Sequence, residues 1–462
     1  MLSVLIHTLG CKLNQLESEA FADSFRQAGF TLYSPSTGTP PPVIIINTCT
    51  VTSKADQKAR RVIRKTLRDY PDSCVLVTGC YAQLDQARIS GLETGKGGRL
   101  FVLKGMGKES ILSLPRYLGE GTNPCRAVKM WCENEGTGDR ERKHAEDRNG
   151  AFHFSPECFS SHTRSFLKIQ DGCDNHCTYC RVRLARGRSI SLDAEQALTR
   201  LRILEESHAE AVITGVNISQ YCDEIGVTNL GKLLEYLLAG TQRISLRLSS
   251  LAPDSIDENL AKIFSNKRIR PHFHLSIQSC SEKILEKMGR GYNSQTIERA
   301  AALLRRAKDD PFLACDIIAG FPGETEAEFE KTYRLCQKIG FAWIHVFPYS
   351  KRPGTPAWSF PEAVHEKEIS KRVQKLTCLA RQGRADYVRR WLGREVEVLA
   401  EKGISAKSCC RGVSENYLKL LIRCEGKEPP PPGTVLRCIL SADQKIESLK
   451  EGYDAVAEWP KS

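Results

Sequence analysis

Three short apolar runs in the first hundred residues alternate with longer charged segments. The runs VLIHTLG, VIIINTC and CVLVTGC are rich in β-branched residues, which is typical of strands buried on both faces of a parallel sheet. The segments between them, Leu16–Gly29 and Ser53–Tyr70, have helical length and carry the charges. This alternation predicts an α/β unit, which we assign to residues 1–118.

A second alternation, of longer period, begins at Phe166. Its candidate strands are FLKIQ, AVIT, ISLRLS, FHLSI, FLACDIIAG and WIHVF. Predicted helices lie between them, over Asp193–Glu206, Asp254–Ser265, Ser294–Lys308 and Glu326–Ile339. Successive strands start roughly 30 to 45 residues apart, as repeated right-handed βαβ units require. We therefore expect residues 159–390 to form a barrel or partial barrel of six strands.

The pattern changes again after Arg390. The runs REVEVLAEKG, NYLKLLIRC and TVLRCIL are short and strand-like, and PPPP and glycine-containing turns separate them. They predict a small β-barrel over residues 391–458. Residues 119–158 include a polar, aperiodic run from Glu133 to Gly150, and we interpret this segment as a linker.

Cysteines stand where the three N-terminal strands end. Cys11, Cys49 and Cys80 each follow one of these strands directly. The carboxyl ends of parallel strands meet at one edge of the sheet, and ligands bind at that edge in open α/β folds. A single cysteine there would most simply be a buried thiol. Three at the same structural position favour a three-cysteine cluster site.

The most informative motif is DGCDNHCTYC, after the first predicted barrel strand. Its spacing, C-x3-C-x2-C, lets Cys173, Cys177 and Cys180 each bind one iron of a cubane [4Fe–4S] cluster and leaves the fourth iron open. Clusters that only carry electrons normally have four cysteines, so an open iron indicates a bound substrate or cofactor. The spacing alone leaves a zinc site, with His176 as a possible ligand, and chance clustering among 19 cysteines as alternatives.

Composition places the chain among ordinary globular proteins. It is 41% hydrophobic and 26% charged, and no apolar run approaches the roughly 20 residues of a membrane span. The start of the sequence has no secretory signal pattern, so we expect a cytoplasmic protein. In a reducing compartment, 19 cysteines are better explained as ligands and free thiols than as disulfides.

The net charge of +12 is concentrated in three places. Residues 54–69 hold seven basic and two acidic residues, and residues 362–390 hold eight and four. The third place follows the last cysteine of the motif and consists of Arg181, Arg183, Arg186 and Arg188. One such run is usually a solvated helix face, but three favour a track for nucleic-acid phosphates. Residues 391–462 carry eleven charges of each sign, so an RNA-binding role there rests on fold analogy.

The chain resembles the methylthiotransferase family of radical S-adenosylmethionine (SAM) enzymes over nearly its whole length. The C-x3-C-x2-C loop is the signature of radical SAM enzymes, and the three N-terminal cysteines and the small C-terminal β domain complete the family pattern. Further matching stretches are ARGRS, RLSS, HLSIQS, MGRGY, AGFPGETE and HVFPYSKRPGTPA. TLGCKLNQLESE and NTCTVTSKADQKARR resemble the branch that acts on N6-threonylcarbamoyladenosine in tRNA. The isopentenyladenosine branch usually has FGCQMN and NTCSIR, and the ribosomal-protein branch LGCPKN and NTCGFI.

The sequence departs from the family pattern at four positions. Arg181 and Arg183 stand where many members have an apolar residue and a proline. Cys280 replaces a usual glycine, and Met106 replaces a frequent asparagine. None of these changes removes a cluster ligand, and for Cys280 a tolerated small-residue exchange is the simplest interpretation.

The resemblance implies a fold, cofactors and a reaction. The fold is an N-terminal α/β three-layer domain, a central partial (β/α)6 barrel and a small all-β, TRAM-like barrel. One [4Fe–4S] cluster is held by Cys173, Cys177 and Cys180, and a second by Cys11, Cys49 and Cys80. SAM serves as methyl donor and radical source in methylthiolation at C2 of N6-threonylcarbamoyladenosine, position 37 of tRNA. The implied partners are tRNA and a flavodoxin- or ferredoxin-like electron donor, with the sulfur source left unspecified.

The resemblance also implies SAM contacts. Tyr179 is expected to pack on the adenine of SAM, and the turn containing Thr214, Gly215 and Asn217 occupies the place of a SAM-binding turn. Gln278 and Asp316 are expected at later strand ends, facing the ligand. A backbone turn without SAM contact is the open alternative for residues 214–217. For Gln278 and Asp316 the open alternative is structural hydrogen bonding, because buried polar groups must be paired in any case. A separate expectation concerns Gly320 and Gly323, which should shape a tight turn.

Other functions stay open at this point. The same chemistry could act on isopentenyladenosine in tRNA or on an aspartate of a ribosomal protein. A zinc-stabilised RNA-binding protein without catalysis is the alternative from another class. No residue is assigned as a catalytic acid, base or nucleophile.

Overall fold

The computed structural model describes most of the 462-residue chain. The described residues are 2–34, 39–93, 97–119, 121–136, 150–156, 159, 163–223, 229–406, 409–424, 428–442 and 452–460. Within these ranges, no helix combines the length and the apolar character that crossing a bilayer demands.

Five parallel strands form the N-terminal sheet, in the order β2-β1-β3-β4-β5. They are β1 Ser3–Thr8, β2 Thr31–Leu32, β3 Val43–Thr48, β4 Cys74–Gly79 and β5 Leu100–Val102. The helices are α1 Lys12–Gln27, α2 Ser53–Asp69, α3 Cys80–Leu84, α4 Gln86–Ser90 and α5 Pro124–Trp131, with 3-10 turns at Gly105–Tyr117 and Gly150–Phe152 and a π-helical turn at Cys132–Gly136.

Helices cover both faces of this sheet, as the uninterrupted apolar runs predict. Ile45 packs with Phe21 and Phe25 of α1 on one face, and Ile44 packs with Ile63 of α2 on the other. All positions of β3 and β4 are buried. The three-layer prediction for this domain is therefore confirmed.

Three local expectations need correction. Helix α1 begins at Lys12 rather than Leu16, since Cys11 is already its N-cap. The helix expected over Asp254–Ser265 is split into a 3-10 turn and a short helix, because Asp257 caps a new helix start. Part of the segment 119–158 folds as α5 and buries Trp131 in the N-terminal core, whereas residues 137–149 of the expected linker lie outside the described residues.

The middle of the chain forms a curved arc of six parallel strands. Two three-stranded sheets, β10-β9-β6 and β11-β12-β13, are joined by parallel bridges from Leu246 to Ile269 and from Leu251 to Leu275. The strands are β6 Ser165–Lys168, β9 Glu210–Thr214, β10 Ser245–Leu248, β11 His272–Gln278, β12 Phe312–Ala319 and β13 Trp343–Pro348. A short antiparallel pair, β7 Gln170–Asp171 and β8 Ile190–Ser191, flanks the cysteine loop. The arc confirms the predicted partial barrel.

The remaining helices of this region lie between the strands and after them. They are α6 Val182–Arg186, α7 Ala194–Ser207, α8 Leu230–Gly240, α9 Glu258–Phe264, α10 Glu282–Lys287, α11 Ser294–Ala307, α12 Glu326–Ile339 and α13 Glu366–Trp391. Alternate strand residues such as Phe273, Leu275 and Ile277 pack into the core that includes these helices. The intervening His274 and Ser276 point to the other, less buried side, which we call the concave face.

The C-terminal strands close into a five-stranded barrel, in the order β14-β15-β16-β18-β17. They are β14 Glu395–Ala406, β15 Cys409–Ser414, β16 Lys419–Arg423, β17 Val435–Leu440 and β18 Ala455–Glu458. The predicted small barrel is confirmed, but the sequence pattern missed β15 and β18. The first contains a glycine beside paired cysteines, and the second is only four residues long. β18 pairs parallel to β16 and antiparallel to β17.

A buried ion network joins this barrel to the central strands. Glu210 accepts hydrogen bonds from Arg247 at 2.7 and 2.9 Å and from Arg270 at 3.0 Å. Arg247 also donates to the backbone carbonyls of Ser414 and Glu415, at 3.2 and 3.1 Å. Both charges of the Arg247–Glu210 pair are almost fully buried, so each depends on the other for compensation.

The network predicts how stability depends on pH. Burial alone would raise the pKa of Glu210, but Arg247 and Arg270 lower it from 4.5 to about 2. The carboxylate therefore stabilises the fold above pH 4.5, and this contribution, on the order of 3 kcal/mol, is lost as the pH falls toward about 2. We expect Glu210→Gln to lower the urea midpoint at pH 7. Between pH 6 and about 3, the midpoint of the variant should fall less steeply than that of the wild type.

The matched control is Glu258→Gln. Its pair with Arg306 is exposed on both sides, so the midpoint should change little and the pH dependence should match that of the wild type. An unchanged slope in Glu210→Gln would contradict the role assigned to the buried carboxylate.

Candidate active site

The loop containing Cys173, Cys177 and Cys180, called here the loop triad, follows β7 at the carboxyl end of the first central strand. It begins at Gly172, whose φ is +69° and whose Cβ, if present, would lie 1.8 Å from the carbonyl oxygen of Arg188. Only glycine fits this close approach. Thr178 anchors the other side, since its N–H donates to Met288 O at 3.0 Å and its hydroxyl to Lys287 O at 2.8 Å.

Donors surround the sulfurs of the loop triad. Arg290 Nη1 donates to Cys177 Sγ at 3.3 Å, and the backbone N–H of Val182 donates to Cys180 Sγ at 3.4 Å. Burial raises the pKa of Cys180 to about 12 and also raises that of Cys173. Because iron takes the place of the thiol protons, the cation and the N–H donors are suited to stabilising bound thiolates.

Cys11, Cys49 and Cys80, called here the sheet-edge triad, lie after β1, β3 and β4, which are neighbours in the sheet. A Cβ on Gly10 would lie 2.3 Å from Cys49 Cβ and 2.8 Å from its Sγ, so the first two loops touch at this glycine. Burial, followed by the charges of Cys11 and Cys80, raises the pKa of Cys49 to about 12. Cys11 and Cys80 are thus within electrostatic range of Cys49, and a shared cluster at the three thiols stays a prediction.

Both triads fit an open cubane cluster by their donor chemistry. Each offers three thiols with a guanidinium nearby, Arg290 at the loop triad and Arg186 at the sheet-edge triad. Among the described residues, no three His, Cys, Asp or Glu side chains converge on a point where one metal ion would sit. A cubane needs no such convergence, because each thiolate binds a different iron. A cavity of about 620 Å³, lined in part by Cys80 and Met106, borders the sheet-edge triad.

Arg186 connects the two triads. Its guanidinium donates to Glu17 Oε1, to both oxygens of Asp171 and to Asn14 Oδ1, at 3.1 to 3.2 Å. Glu17 and Asn14 lie on α1 behind Cys11, and Asp171 accepts the N–H of Gly172 at 2.7 Å, next to Cys173. The guanidinium therefore bridges the two cysteine-bearing segments directly.

Two lysines complete this buried network. Lys108 Nζ lies 2.5 Å from Glu17, and Lys168 Nζ lies 2.5 Å from Asp171. With Arg186, three cations face two carboxylates, which leaves one positive charge in excess beside the cysteines. The cations outweigh burial and lower the pKa of Glu17 to about 2, so its carboxylate stays ionised. A net positive surround suits an anionic, thiolate-bound cluster.

Arg352 fixes the sheet-edge triad from the opposite side. Its guanidinium donates to Asp56 Oδ2 at 2.8 Å and to the carbonyl and hydroxyl of Thr50 at 2.9 and 2.6 Å. Thr50 directly follows Cys49. Ser350 adds a contact, since its hydroxyl accepts the N–H of Ser53 at 3.0 Å. The segment after β13 thus holds the Cys49 loop against the central barrel.

The structure brings one group of predicted SAM residues to the loop triad. Asn217 N donates to Gln170 Oε1 at 2.8 Å, and the Asn217 side chain acts to lower the pKa of the Cys173 thiol, against the larger effect of burial. A Cβ on Gly215 would lie 2.9 Å from the same Gln170 oxygen, so the turn after Thr214 is packed tightly here. These contacts are structural, and SAM binding by this turn stays a prediction.

The other predicted residues are more dispersed. Tyr179 packs its ring 6.2 Å from Phe321. Gln278 ends β11 with a left-handed φ of +63°. Asp316 does not end a strand, which corrects the sequence expectation, because β12 continues to Ala319. Asp316 lies on the concave face, with Oδ1 3.1 Å from His274 Nε2.

The turn after β12 is as expected. Gly320 and Gly323 have φ angles of +82° and +83°, and the N–H of Gly320 donates to Glu324 Oε2 at 2.6 Å. This is the left-handed conformation for which glycine is required.

Two of the departures from the family pattern have local explanations. Cys280 is 3% exposed, and its thiol interacts with that of Cys336 in the core, so it behaves as a buried core residue. Arg181 forms an ion pair with Asp85 at 3.2 Å.

Sequence reasoning missed the contacts of three arginines, and it assigned one of them, Arg186, to a phosphate-binding run although its guanidinium is buried. Arg186, Arg290 and Arg352 all lie in stretches that match the family, ARGRS, MGRGY and HVFPYSKRPGTPA. Nothing in these stretches shows that the arginines contact cysteine loops from other parts of the chain.

The Arg186 bridge predicts a selective loss of iron. Arg186→Gln removes the excess positive charge and the link that holds α1, so we expect anaerobic reconstitution to yield about four rather than about eight irons per chain. The control is Arg188→Gln, whose side chain is 80% exposed two residues away. Colorimetric iron and sulfide assays measure the difference, and full iron loading of Arg186→Gln would contradict the assigned role.

Comparison with known proteins supplies the family. Residues 167–336 match the Radical SAM superfamily, and residues 3–96 match the "Uncharacterized protein family UPF0004". The threonylcarbamoyladenosine tRNA methylthiotransferase MtaB of Treponema pallidum (strain Nichols) is 38% identical over 95% of this chain and 98% of its own. The protein of the same name from Bacillus subtilis (strain 168) is 32% identical over 98% and 95%.

A solved structure supports the fold independently. The radical SAM methyltransferase TsrM from Kitasatospora setae, with cobalamin and a [4Fe–4S] cluster bound, aligns over 77% of this chain and 76% of its own. The identity is 14% and the TM-score 0.51, so the likeness concerns the fold alone. Relatives at up to 38% identity over nearly the full length, on a fold that presents two cysteine triads, show that the chain belongs to the radical SAM methylthiotransferases, a family of enzymes that use SAM and [4Fe–4S] clusters.

Proposed function

We propose that this enzyme methylthiolates C2 of N6-threonylcarbamoyladenosine at position 37 of tRNA, with SAM as both methyl donor and radical source. The observation that carries the proposal is the pairing of two open three-cysteine sites through one buried guanidinium, Arg186. The names of the Treponema and Bacillus relatives support the choice of substrate. So do the stretches around Cys11 and Cys49.

The chemistry requires two different sites. No side chain can usefully deprotonate an aromatic C2–H at neutral pH, so a cofactor must supply the reactivity. Clusters bound at the loop triad and at the sheet-edge triad would supply reductive cleavage of SAM and an iron-held sulfur, respectively. The chain's own residues orient these sites: Arg290 and the Val182 N–H at the loop triad, and Asn14 and Arg186 at the sheet-edge triad.

Helix α2 offers a surface for tRNA. Its exposed basic residues are Lys54, Lys58, Arg61, Arg64, Lys65 and Arg68. Within the described parts of the chain, Arg68 alone among them forms an ion pair, with neighbouring Asp69. The helix begins four residues after Cys49, so this basic face starts at the sheet-edge triad and runs away from it for about 20 Å. Unpaired cations at this spacing suit contact with RNA phosphates.

The remaining partners follow from the proposed reaction. SAM cleavage needs a low-potential electron, for which we propose a flavodoxin- or ferredoxin-like donor. A tRNA substrate and oxygen-sensitive clusters are consistent with a cytoplasmic enzyme.

The division of labour can be tested with single cysteine variants. We expect Cys11→Ala and Cys173→Ala each to abolish 2-methylthio-N6-threonylcarbamoyladenosine in tRNA from a complemented deletion strain, measured by nucleoside mass spectrometry. Only Cys173→Ala should also abolish reductive SAM cleavage in vitro, because only the loop triad is assigned to the cluster that binds SAM. Cys222→Ala, an exposed cysteine outside both triads, is the control.

Two results would count against these assignments. Retained methylthiolation in Cys11→Ala would remove the sheet-edge triad from the reaction. A deletion strain whose threonylcarbamoyladenosine stays fully methylthiolated, in a cell with no second enzyme of this kind, would exclude this substrate.

The RNA surface predicts a charge effect. We expect the double variant Lys58→Glu/Arg61→Glu to weaken tRNA binding by at least about tenfold at 100 mM salt and to reduce the salt dependence of binding, because phosphate contacts are lost. Lys232→Glu/Lys262→Glu, which changes two exposed lysines on α8 and α9, is the charge-matched control. Equal affinities of the double variant and the control, measured by filter binding, would rule out this face.

A further inference from the structure

Lys12 is set apart from the other cations around the concave face. Arg247 is paired with Glu210, Arg270 with Glu210 and Glu397, and Arg164 with Glu401. In the portion of the chain that the structure describes, Lys12 has no ion pair and no hydrogen bond from its side chain. It is nevertheless half-buried, so an anionic partner would offset the cost of removing part of its charge from water.

The side chain of Lys12 lies where two domains and the concave face meet. Lys12 follows Cys11 and is the first residue of α1. Its ammonium is within electrostatic range of Tyr417, Arg164, Arg247 and Glu210, and it also acts on His345 of β13. Glu210 is already bound by Arg247 and Arg270. Tyr417 comes from the C-terminal barrel, with a left-handed φ of +68° and its ring against His272 at 4.1 Å. Lys12 therefore extends from the sheet-edge triad toward the interior of the arc.

The concave face beside Lys12 carries polar side chains that are not fully hydrogen-bonded. His274 and His345 stand with their rings 5.2 Å apart, and Asp316 is next to His345 in register. His274 Nε2 is buried and has no directed hydrogen bond, although Asp316 Oδ1 is 3.1 Å away. Phe347, further along β13, is 38% exposed, so this side of the arc is open to solvent. The face can thus accommodate a polar ligand.

The proposed substrate carries an anionic group that could pair with the Lys12 ammonium. Threonylcarbamoyladenosine differs from adenosine by an N6 substituent that ends in a threonine carboxylate and hydroxyl. C2, where sulfur is added, must lie at the sheet-edge triad, and the N6 substituent extends from the ring beyond N1. Lys12 is adjacent to Cys11, and its ammonium extends toward the concave face. It is therefore placed to contact that carboxylate.

We propose that Lys12 binds the threonyl carboxylate of the substrate nucleoside and so selects threonylcarbamoyladenosine over adenosines with an uncharged N6 group. This assignment rests on the proposed function. Arg164 and Arg247 add positive potential from behind, but their own carboxylate partners hold them in place. Two acidic groups, Asp316 and Glu210, would repel the ligand. His274 beside Asp316 and the two arginines bound to Glu210 offset part of this charge.

The test changes the charge on either partner. The reconstituted enzyme is mixed with two anticodon stem-loop RNAs, one carrying threonylcarbamoyladenosine and one carrying its carboxyl methyl ester. Fluorescence anisotropy gives the dissociation constants, and methylthiolation assays give kcat/KM. We expect the wild type to prefer the free acid by roughly tenfold or more, since a charge-assisted contact is lost in the ester. The preference should fall to near one in Lys12→Met and should largely return in Lys12→Arg.

The possible outcomes separate the two claims. If the wild type does not methylthiolate the free-acid RNA, the proposed function fails and this inference fails with it. If it does, but binds acid and ester equally, or if Lys12→Met keeps the preference, only the role of Lys12 is overturned. Iron content and SAM cleavage of the variants are measured in parallel, because Lys12 adjoins a proposed cluster ligand. Should Lys12→Met lose iron, the acid–ester comparison on the wild type decides.

Discussion

The buried guanidinium of Arg186 is the contact on which the geometry of the active site depends. It lies between Glu17 of the N-terminal domain and Asp171 of the central barrel, and both carboxylates are almost fully buried. A buried charge without its partner costs several kcal/mol, so the two domains gain from this contact only when they are docked in one arrangement. The same docking sets how far the sheet-edge triad stands from the loop triad. Chemistry that passes a group between two metal sites tolerates little variation in that distance.

The charges around Arg186 both hold the domains together and set the electrostatic surroundings of the cysteines. Lys108 and Lys168 neutralise Glu17 and Asp171, and the remaining positive charge faces the thiols. Arg352 fastens the Cys49 loop to the segment after β13. Each of these contacts joins residues that are more than ninety positions apart, except that of Lys168 with Asp171. The architecture therefore stabilises the domain interface with groups that also set the charge around the cysteine triads, and a substitution at any of them would change both.

Sequence patterns predicted the parts of the structure that local physics determines. Apolar β-branched runs gave the strands, and the position of Cys11, Cys49 and Cys80 after three of them predicted their convergence. What could not be predicted depends on contacts between distant segments. Arg186 follows the cysteine motif as one of four arginines, and nothing local distinguishes it from exposed Arg188. The surroundings of Lys12 likewise could not be predicted, because the concave face and Tyr417 come from distant parts of the sequence. Asp316 was expected at a strand end, but it lies inside β12, three residues before the strand ends at Ala319.

The closure of the C-terminal barrel has a consequence for the order of folding. β18 is the latest described strand in the chain, yet it inserts between β16 and β17. Until it has been synthesised, those two strands present unpaired edges, which invite association with other chains. Pairing across such sequence distances is also slow. The turn that supplies carbonyl partners to Arg247 belongs to this barrel, so the central arc completes its own buried ion network only after the barrel strands have been synthesised. A nascent chain of this enzyme is therefore most in need of chaperone protection between the synthesis of β16 and that of β18.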